Sequence, residues 1–306
     1  MPAVSQRMQQ PPPMCCYGLM ATSSDPGQLR STAETLVAEA AEFVRRRRAE
    51  VFGAQAGSTR DLVQTKSSPT DPVTVVDTET ERFIRDRLTQ LRPGDAVLGE
   101  EGGGSGDVSG RAPGAVTWVV DPIDGTVNFM YDVPAYAVSV AAQMDGASVA
   151  GAVADVVGDR IYSAGRGLGA QVTDRAGTAA LRCADVSELS VALLGTGFGY
   201  SPRRRAAQAE LLARLLPAVR DVRRIGSAAL DLCMVAAGRL DVYYEHGIKP
   251  WDYAAGSLIA AEAGARVVLP GPAIDSGEVI IAAAAGIADE FIATLQREGG
   301  LTPIPQ

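Results

Sequence analysis

The chain has 306 residues, 46% of them apolar and 21% charged, the composition of an ordinary globular protein with one large or two smaller domains. Lys plus Arg number 28 against 36 Asp plus Glu, a net charge of −8, which argues against a protein that coats nucleic acid. No apolar run reaches the ~18 to 20 residues of a membrane span, and four scattered cysteines with a single histidine, His246, leave too few ligands for a zinc site and fit a reducing cytoplasm.

Residues 1–29 contain Pro11, Pro12 and Pro13 and show no periodicity; they read as a disordered tail without the basic and apolar regions of a signal peptide. Order is expected from Ser31, where Ser31 and Glu34 fit a capping box and Leu36, Ala40, Phe43 and Val44 recur at helical spacing. Residues 66–72 form a turn-rich loop, and the β-branched run 73–76 reads as a strand. Asp77 then opens a helix that Pro93-Gly94 ends. Strands are expected at 96–98, running into Gly99-Glu100-Glu101, and at 116–120, ending at Asp121. Further strands are expected at 136–142, 149–156 and 160–163. The second half begins with a helix at 206–216. Ser227 caps the next, which Gly238 stops. A strand at 240–245 precedes a helix opened by Asp252, strands at 266–269 and 279–284 follow, and a helix at 287–295 closes the chain. Interspersed helices and strands give a mixed α and β class. The division expected is a half at 30–180 carrying most acidic motifs and a half at 181–306 completing the site.

Three acidic features fall at junctions of strand and helix, where sites gather in α/β sheets. They are Gly99-Glu100-Glu101, Asp121-Pro-Ile-Asp124-Gly-Thr126, and Trp251-Asp252 after Tyr243-Tyr244-Glu245. Singly, Asp77, Asp124 and Asp252 could be plain helix caps. If Glu100, Asp121, Asp124 and Asp252 converge, their repulsion calls for a hard divalent cation such as Mg²⁺, completed by substrate phosphate. Two such ions would serve an in-line displacement at phosphorus by an activated water. Gly125 and the Gly226-Ser227-Ala228 turn each precede a helix start that could hold phosphate oxygens, and Thr126 offers a hydroxyl that could orient the water.

These segments resemble the inositol monophosphatase family of Mg²⁺-dependent, lithium-sensitive phosphatases. The matching pieces are Lys66 to Thr74 with Asp77, Gly99-Glu100-Glu101, Trp118 to Phe129, Gly226 to Ala229, Tyr243-Tyr244-Glu245 and Trp251 to Gly256. They stand in family order. The resemblance implies a layered α-β-α-β-α sugar-phosphatase fold, a homodimer, and two or three Mg²⁺ per site. It implies that Glu100, Asp121 and the Ile123 carbonyl bind one ion, that Asp121, Asp124 and Asp252 bind a second, and that Asp77 and Glu101 help a weaker third. Glu100 with Thr126 would activate the water. Gly125, Thr126 and the turn Gly226, Ser227 and Ala228 would hold phosphate, Glu245 would bind a sugar hydroxyl, and Asp252 would lie close to the ring.

Rival readings are weaker. A Ser-His-Asp hydrolase would need His246, and no G-x-S-x-G elbow accompanies it. A haloacid-dehalogenase-type phosphatase needs two aspartates separated by one residue, the first a covalent nucleophile, whereas Asp121 and Asp124 are separated by two. Within the family, fructose 1,6-bisphosphate, histidinol phosphate and adenosine bisphosphates remain as substrates. The reading from another class is a non-catalytic interaction protein on the same scaffold.

Overall fold

The computed structural model describes residues 24–52, 63–65, 72–103, 112–271, 273 and 276–306. Helix α1 (Pro26–Phe52) buries Leu29, Ala33, Leu36, Val37, Ala40 and Val44 along one face, the i, i+3, i+4 stripe of an amphipathic helix. It begins before Ser31. Leu29 is fully buried, and the Ser31 hydroxyl donates to the Gly27 carbonyl inside the helix instead of capping it. The tail expected over 1–29 is therefore helical from Pro26; residues 1–23 and the 66–71 part of the recognised motif lie outside the described residues.

A short hairpin, β1 (Val63–Thr65) with β2 (Pro72–Thr74), leads into helix α2 (Val75–Leu91). Thr74, not Asp77, is the N-cap. The Thr74 hydroxyl accepts from the Val76 and Asp77 amides, and the Asp77 carboxylate reaches back to the Thr74 amide. This reciprocal arrangement satisfies several orphan donors at once. It places Asp77 a turn deeper than expected and fully buries it.

A seven-stranded sheet follows in the order β3 (Ala96–Gly99), β4 (Val116–Asp124), β5 (Ala137–Met144), β6 (Ala147–Asp155), β7 (Arg160–Gly165), β8 (Ala170–Asp174) and β9 (Gly177–Ala180). Only β3 and β4 run parallel. Helix α3 (Thr126–Tyr131) breaks off the end of β4. A five-stranded sheet has the order β11 (Asp221–Arg223), β10 (Leu193–Thr196), β12 (Val242–His246), β14 (Val279–Ala283) and β13 (Arg266–Val268). Its helices are α4 (Pro202–Leu215), α5 (Ala228–Ala236), α6 (Pro250–Glu262) and α7 (Ala288–Arg297).

Three apolar clusters stack these elements into five layers. Leu36, Ile84, Trp118 and Val140 pack α1 and α2 on one face of the larger sheet. Val119, Val153, Leu232, Ile259, Tyr243 and Ile280 sandwich α5 and α6 between the two sheets. Leu194, Leu211, Tyr244, Phe291 and Leu295 pack α4 and α7 on the outer face of the smaller sheet. Helices α5 and α6 have apolar residues nearly all round because both faces are covered. The result is the expected α-β-α-β-α arrangement. The carboxyl end of β4 and the amino ends of α5 and α6 meet at one edge of the middle layer.

Candidate active site

The site begins with an irregularity in β4. Its pairing with β5 slips between Asp121 and Asp124. Pro122 cannot donate to the ladder, so a bulge is the tolerated solution. The Asp121 carboxylate accepts from the Ile123 amide at 3.0 Å, bracing the turn. Gly125 then takes a φ of 99°, in the left-handed region, as it starts α3. A Cβ there would lie 3.0 Å from the Ala135 carbonyl and 3.1 Å from that of Gly226, so the close approach of the two turns requires glycine.

Three more acids are set by helix starts. Asp124 accepts from the Ser227 hydroxyl and the Ala229 amide, both at 2.6 Å, while Ser227 caps α5 by accepting from Leu230. One side chain therefore caps a helix and holds a carboxylate. Asp252, in the first turn of α6, accepts from the Lys249 amide at 2.6 Å. Asp77 accepts from the Thr74 amide and from the hydroxyls of Thr74 and Thr126, the latter at 3.0 Å. Thr126 also lies 3.1 Å from the Ile123 carbonyl.

These elements surround a cleft of about 550 Å³. Glu100, Asp121, Ile123, Asp124, Gly125, Thr126, Gly226, Ser227, Ala228, Glu245 and Asp252 all line it. Asp77 and Glu101 do not. Asp77 stands behind Thr126, and Glu101 lies in the turn after β3. Burial pushes Asp121 and Asp252 well above the usual carboxylate range, with the charge of Glu100 next in importance. Burial raises Asp124 to about 6 against its hydrogen bonds to Ser227 and Ala229, and raises Asp77 to about 6 against those to Thr74. The Glu100 charge raises both further.

Among the described residues, no three acidic, histidine or cysteine side chains stand close enough together to grip an ion as they are. The carboxylates turn instead to the hydroxyls and amides named above. Their chemistry nevertheless fits a hard cation. The donors are all oxygen, the acids repel one another in a buried space, and added positive charge relieves that repulsion.

Several residues that sequence reasoning missed hold this arrangement. Glu81 of α2, 2% exposed, accepts from the Glu101 and Gly102 amides at 2.7 and 2.8 Å and from Arg85. It fastens the turn that carries Glu100. Tyr243 donates to Glu245 at 2.7 Å, and the two share a face of β12 at a spacing of two, a signal the sequence does contain. Burial raises Glu245 to about 7, partly offset by the Tyr243 hydrogen bond and the Arg224 charge. Asp231 of α5 also lines the cleft, 1% exposed, with one carboxylate oxygen lacking a hydrogen-bond partner among the described residues. Asn128 ties α3 to the segment before β5 through the Ala135 carbonyl and to the turn before α5 through the Ile225 carbonyl.

The profile of the inositol monophosphatase family matches residues 25–300. The chain belongs to that family. It is 67% identical over 284 residues to inositol-1-monophosphatase SuhB of Mycobacterium tuberculosis, covering 92% of this chain and 98% of that one. The solved structure of Mycobacterium tuberculosis SuhB superposes with a TM-score of 0.77 at 61% identity, covering 91% of this chain and all of that one. A relative from Pasteurella multocida, named Nus factor SuhB, is 39% identical over 208 residues, 68% of this chain and 75% of its own. The layered fold expected from the motifs is thus the fold of the family.

Proposed function

We propose that the protein is a Mg²⁺-dependent phosphomonoesterase. It hydrolyses inositol 1-phosphate, or a closely related sugar phosphate, to the free alcohol and inorganic phosphate. It acts as a cytoplasmic homodimer, with no nucleic-acid or membrane partner. One observation carries this reading: Glu100, Asp121, Asp124 and Asp252 meet in a single cleft with Thr126, Glu245 and the Gly226 turn. The relatives named inositol-1-monophosphatase support the choice of substrate.

Glu100, Asp121 and the Ile123 carbonyl would hold one ion, and Asp121, Asp124 and Asp252 a second. Asp77 and Glu101, set back from the cleft wall, would serve a weaker third, partly through water. Bound there, Mg²⁺ supplies the positive charge that relieves the carboxylate repulsion, orients the phosphate and makes water a better nucleophile.

The remaining work falls to the chain's own groups. Thr126 has one hydroxyl proton and two nearby acceptors, Asp77 Oδ1 and the Ile123 carbonyl. Donating to either leaves its lone pairs free to accept from the attacking water. Glu100, on the cleft wall, accepts the proton that the water gives up. The backbone N–H groups at the starts of α3 and α5, from Gly125 and Thr126 and from Gly226 to Ala228, hold phosphate oxygens. Glu245 accepts from a ring hydroxyl, and Tyr243 keeps its carboxylate from swinging away. Asp252 lies close to the ring.

The test is phosphate release by purified protein with Mg²⁺ from inositol 1-phosphate, fructose 1,6-bisphosphate, histidinol phosphate and adenosine 3′,5′-bisphosphate. Preference for inositol 1-phosphate, with inhibition by lithium, is expected. Preference for another ester replaces the substrate, and no release from any of them overturns the reading. The Nus factor name of the Pasteurella relative favours one further reading, a non-catalytic interaction role alongside the first. Recovery of a stoichiometric partner by Asp121→Asn protein would support it.

A further inference from the structure

The chain returns to the cleft at Gln306. Gln306 lines it together with Glu245, Gly247 and Arg204. Residues 301–306 have no helix or strand of their own, yet they are held at several points. The Ile304 amide donates to the Gly277 carbonyl at 2.8 Å, and the Ile304 carbonyl accepts from Arg204 Nε at 2.9 Å. Just upstream, His246 Nε2 lies 2.9 Å from the Gly300 carbonyl.

Arg204 is built into this position. It is 3% exposed, unusual for a guanidinium, and reaches the Gly247 carbonyl as well as that of Ile304. Its stem passes Gly199, where a Cβ would lie 2.6 Å from Arg204 Cδ, and a Cβ at Gly247 would overlap its guanidinium. Gly277 makes room in the same way, since a Cβ there would lie 2.5 Å from the Ile304 carbonyl oxygen. Three glycines and a buried arginine thus accommodate a segment that otherwise lies on the surface. Its anchors, Gly277 and Arg204, stand beside Gly247, which accepts from Arg204 and donates to the Glu278 carbonyl, and Gly247 closely follows Glu245, at the end of the cleft assigned to the leaving alcohol.

We infer that residues 301–306, latched by Arg204, form the outer wall of the leaving-group subsite and select leaving groups by size. The inference rests on the phosphatase reading above. A wall held by a few hydrogen bonds at the rim leaves the metal-facing acids untouched, so its removal changes which alcohols fit and not the chemistry at phosphorus.

The experiment compares the intact chain, a chain lacking residues 302–306, and Ile304→Pro, which removes the amide that bonds Gly277. Each is assayed with Mg²⁺ on inositol 1-phosphate and on adenosine 2′-monophosphate, a bulkier ester. The ratio of kcat/KM for the nucleotide to that for the inositol ester should rise about tenfold in the shortened chain, the scale of a single steric discrimination. It should rise less in Ile304→Pro. An unchanged ratio in both variants overturns the inference. Failure of the intact chain on both esters counts against the phosphatase reading itself. Amide exchange needs no turnover: slow exchange at Ile304 in the intact protein supports the latch, and exchange at the free-peptide rate overturns it.

Discussion

Gly197→Ala isolates the leaving-group side of the cleft from the acids that face phosphorus. Gly197 lies beyond the end of β10 and its φ is outside the left-handed region, so alanine strains no backbone there. The conflict is with Glu245. A Cβ at Gly197 would overlap the Glu245 carboxyl, and even the farthest of its three atoms, Oε1, would be only 2.5 Å away. A relaxed C···O contact is about 3.3 Å, so the carboxylate must retreat by at least about 0.8 Å. Retreat is costly because the group is buried and accepts from Tyr243 at 2.7 Å. Loss of one hydrogen bond to a charged group costs about 1.5 to 3 kcal/mol, and a misplacement near 1 Å can cost about a hundredfold in rate. We expect kcat/KM for inositol 1-phosphate to fall by about ten- to a hundredfold, mostly through KM. A phenyl phosphate ester, which lacks ring hydroxyls, should lose much less. Both activities are read as phosphate release at saturating Mg²⁺. An equal fall on the two esters, or no fall on either, would refute the placement of Glu245 against the ring.

Three further outcomes follow from the same contacts. Glu81→Gln should loosen the turn that carries Glu100 and raise the Mg²⁺ concentration needed for half-maximal activation about tenfold, as the loss of an outer partner of a ligand does; an unchanged Mg²⁺ titration would remove Glu81 from the site. Ser227→Ala removes the cap of α5 and one donor to Asp124. A lost cap costs about 1 kcal/mol, so thermal unfolding should shift down by about 2 to 4 °C, and an unchanged Tm would contradict the double role. The buried acids make metal-free stability fall with rising pH. Asp77 and Asp124 at about 6 and Glu245 at about 7 bind protons in the folded state that the unfolded chain, with carboxylates near ~4, has already released. Their contribution is fully present below about pH 4 and is lost as pH rises through 6 to 7. Mg²⁺ should therefore raise Tm more at pH 8 than at pH 5; an equal rise at both would contradict the repulsion among the acids.

What the sequence revealed of the site was local. Asp121, Asp124 and Asp252 stand at a strand end or a helix start, which spacing exposes; chain neighbours fix Asp121 and Asp252, whereas the hold of Ser227 and Ala229 on Asp124 spans two elements and was not legible. Glu81 was not legible, because its partners are Glu101 and Gly102 on another element. Only the packing of α2 beside the end of β3 brings them together. Arg204 was hidden for the same reason, its partner Ile304 lying at the far end of the chain. Strands β8 to β11 escaped notice because they are short and, in β9, exposed along their whole length, so no apolar alternation marks them. The N-cap of α2 was misread by three residues. Asp77 and Thr74 are both good caps, and only the structure shows the threonine closing the box while the aspartate points to Thr126.

The central claim is that Asp121 serves a catalytic centre for phosphate-ester hydrolysis. It is tested most directly by phosphate release from inositol 1-phosphate at saturating Mg²⁺, comparing the intact chain with Asp121→Asn. Asparagine keeps the shape of the side chain and removes a charge that its neighbours already oppose, so the variant should fold, with a metal-free Tm no lower than that of the intact chain. Turnover by the intact chain, abolished in the folded variant, is the predicted result. Near-normal turnover by Asp121→Asn would contradict it.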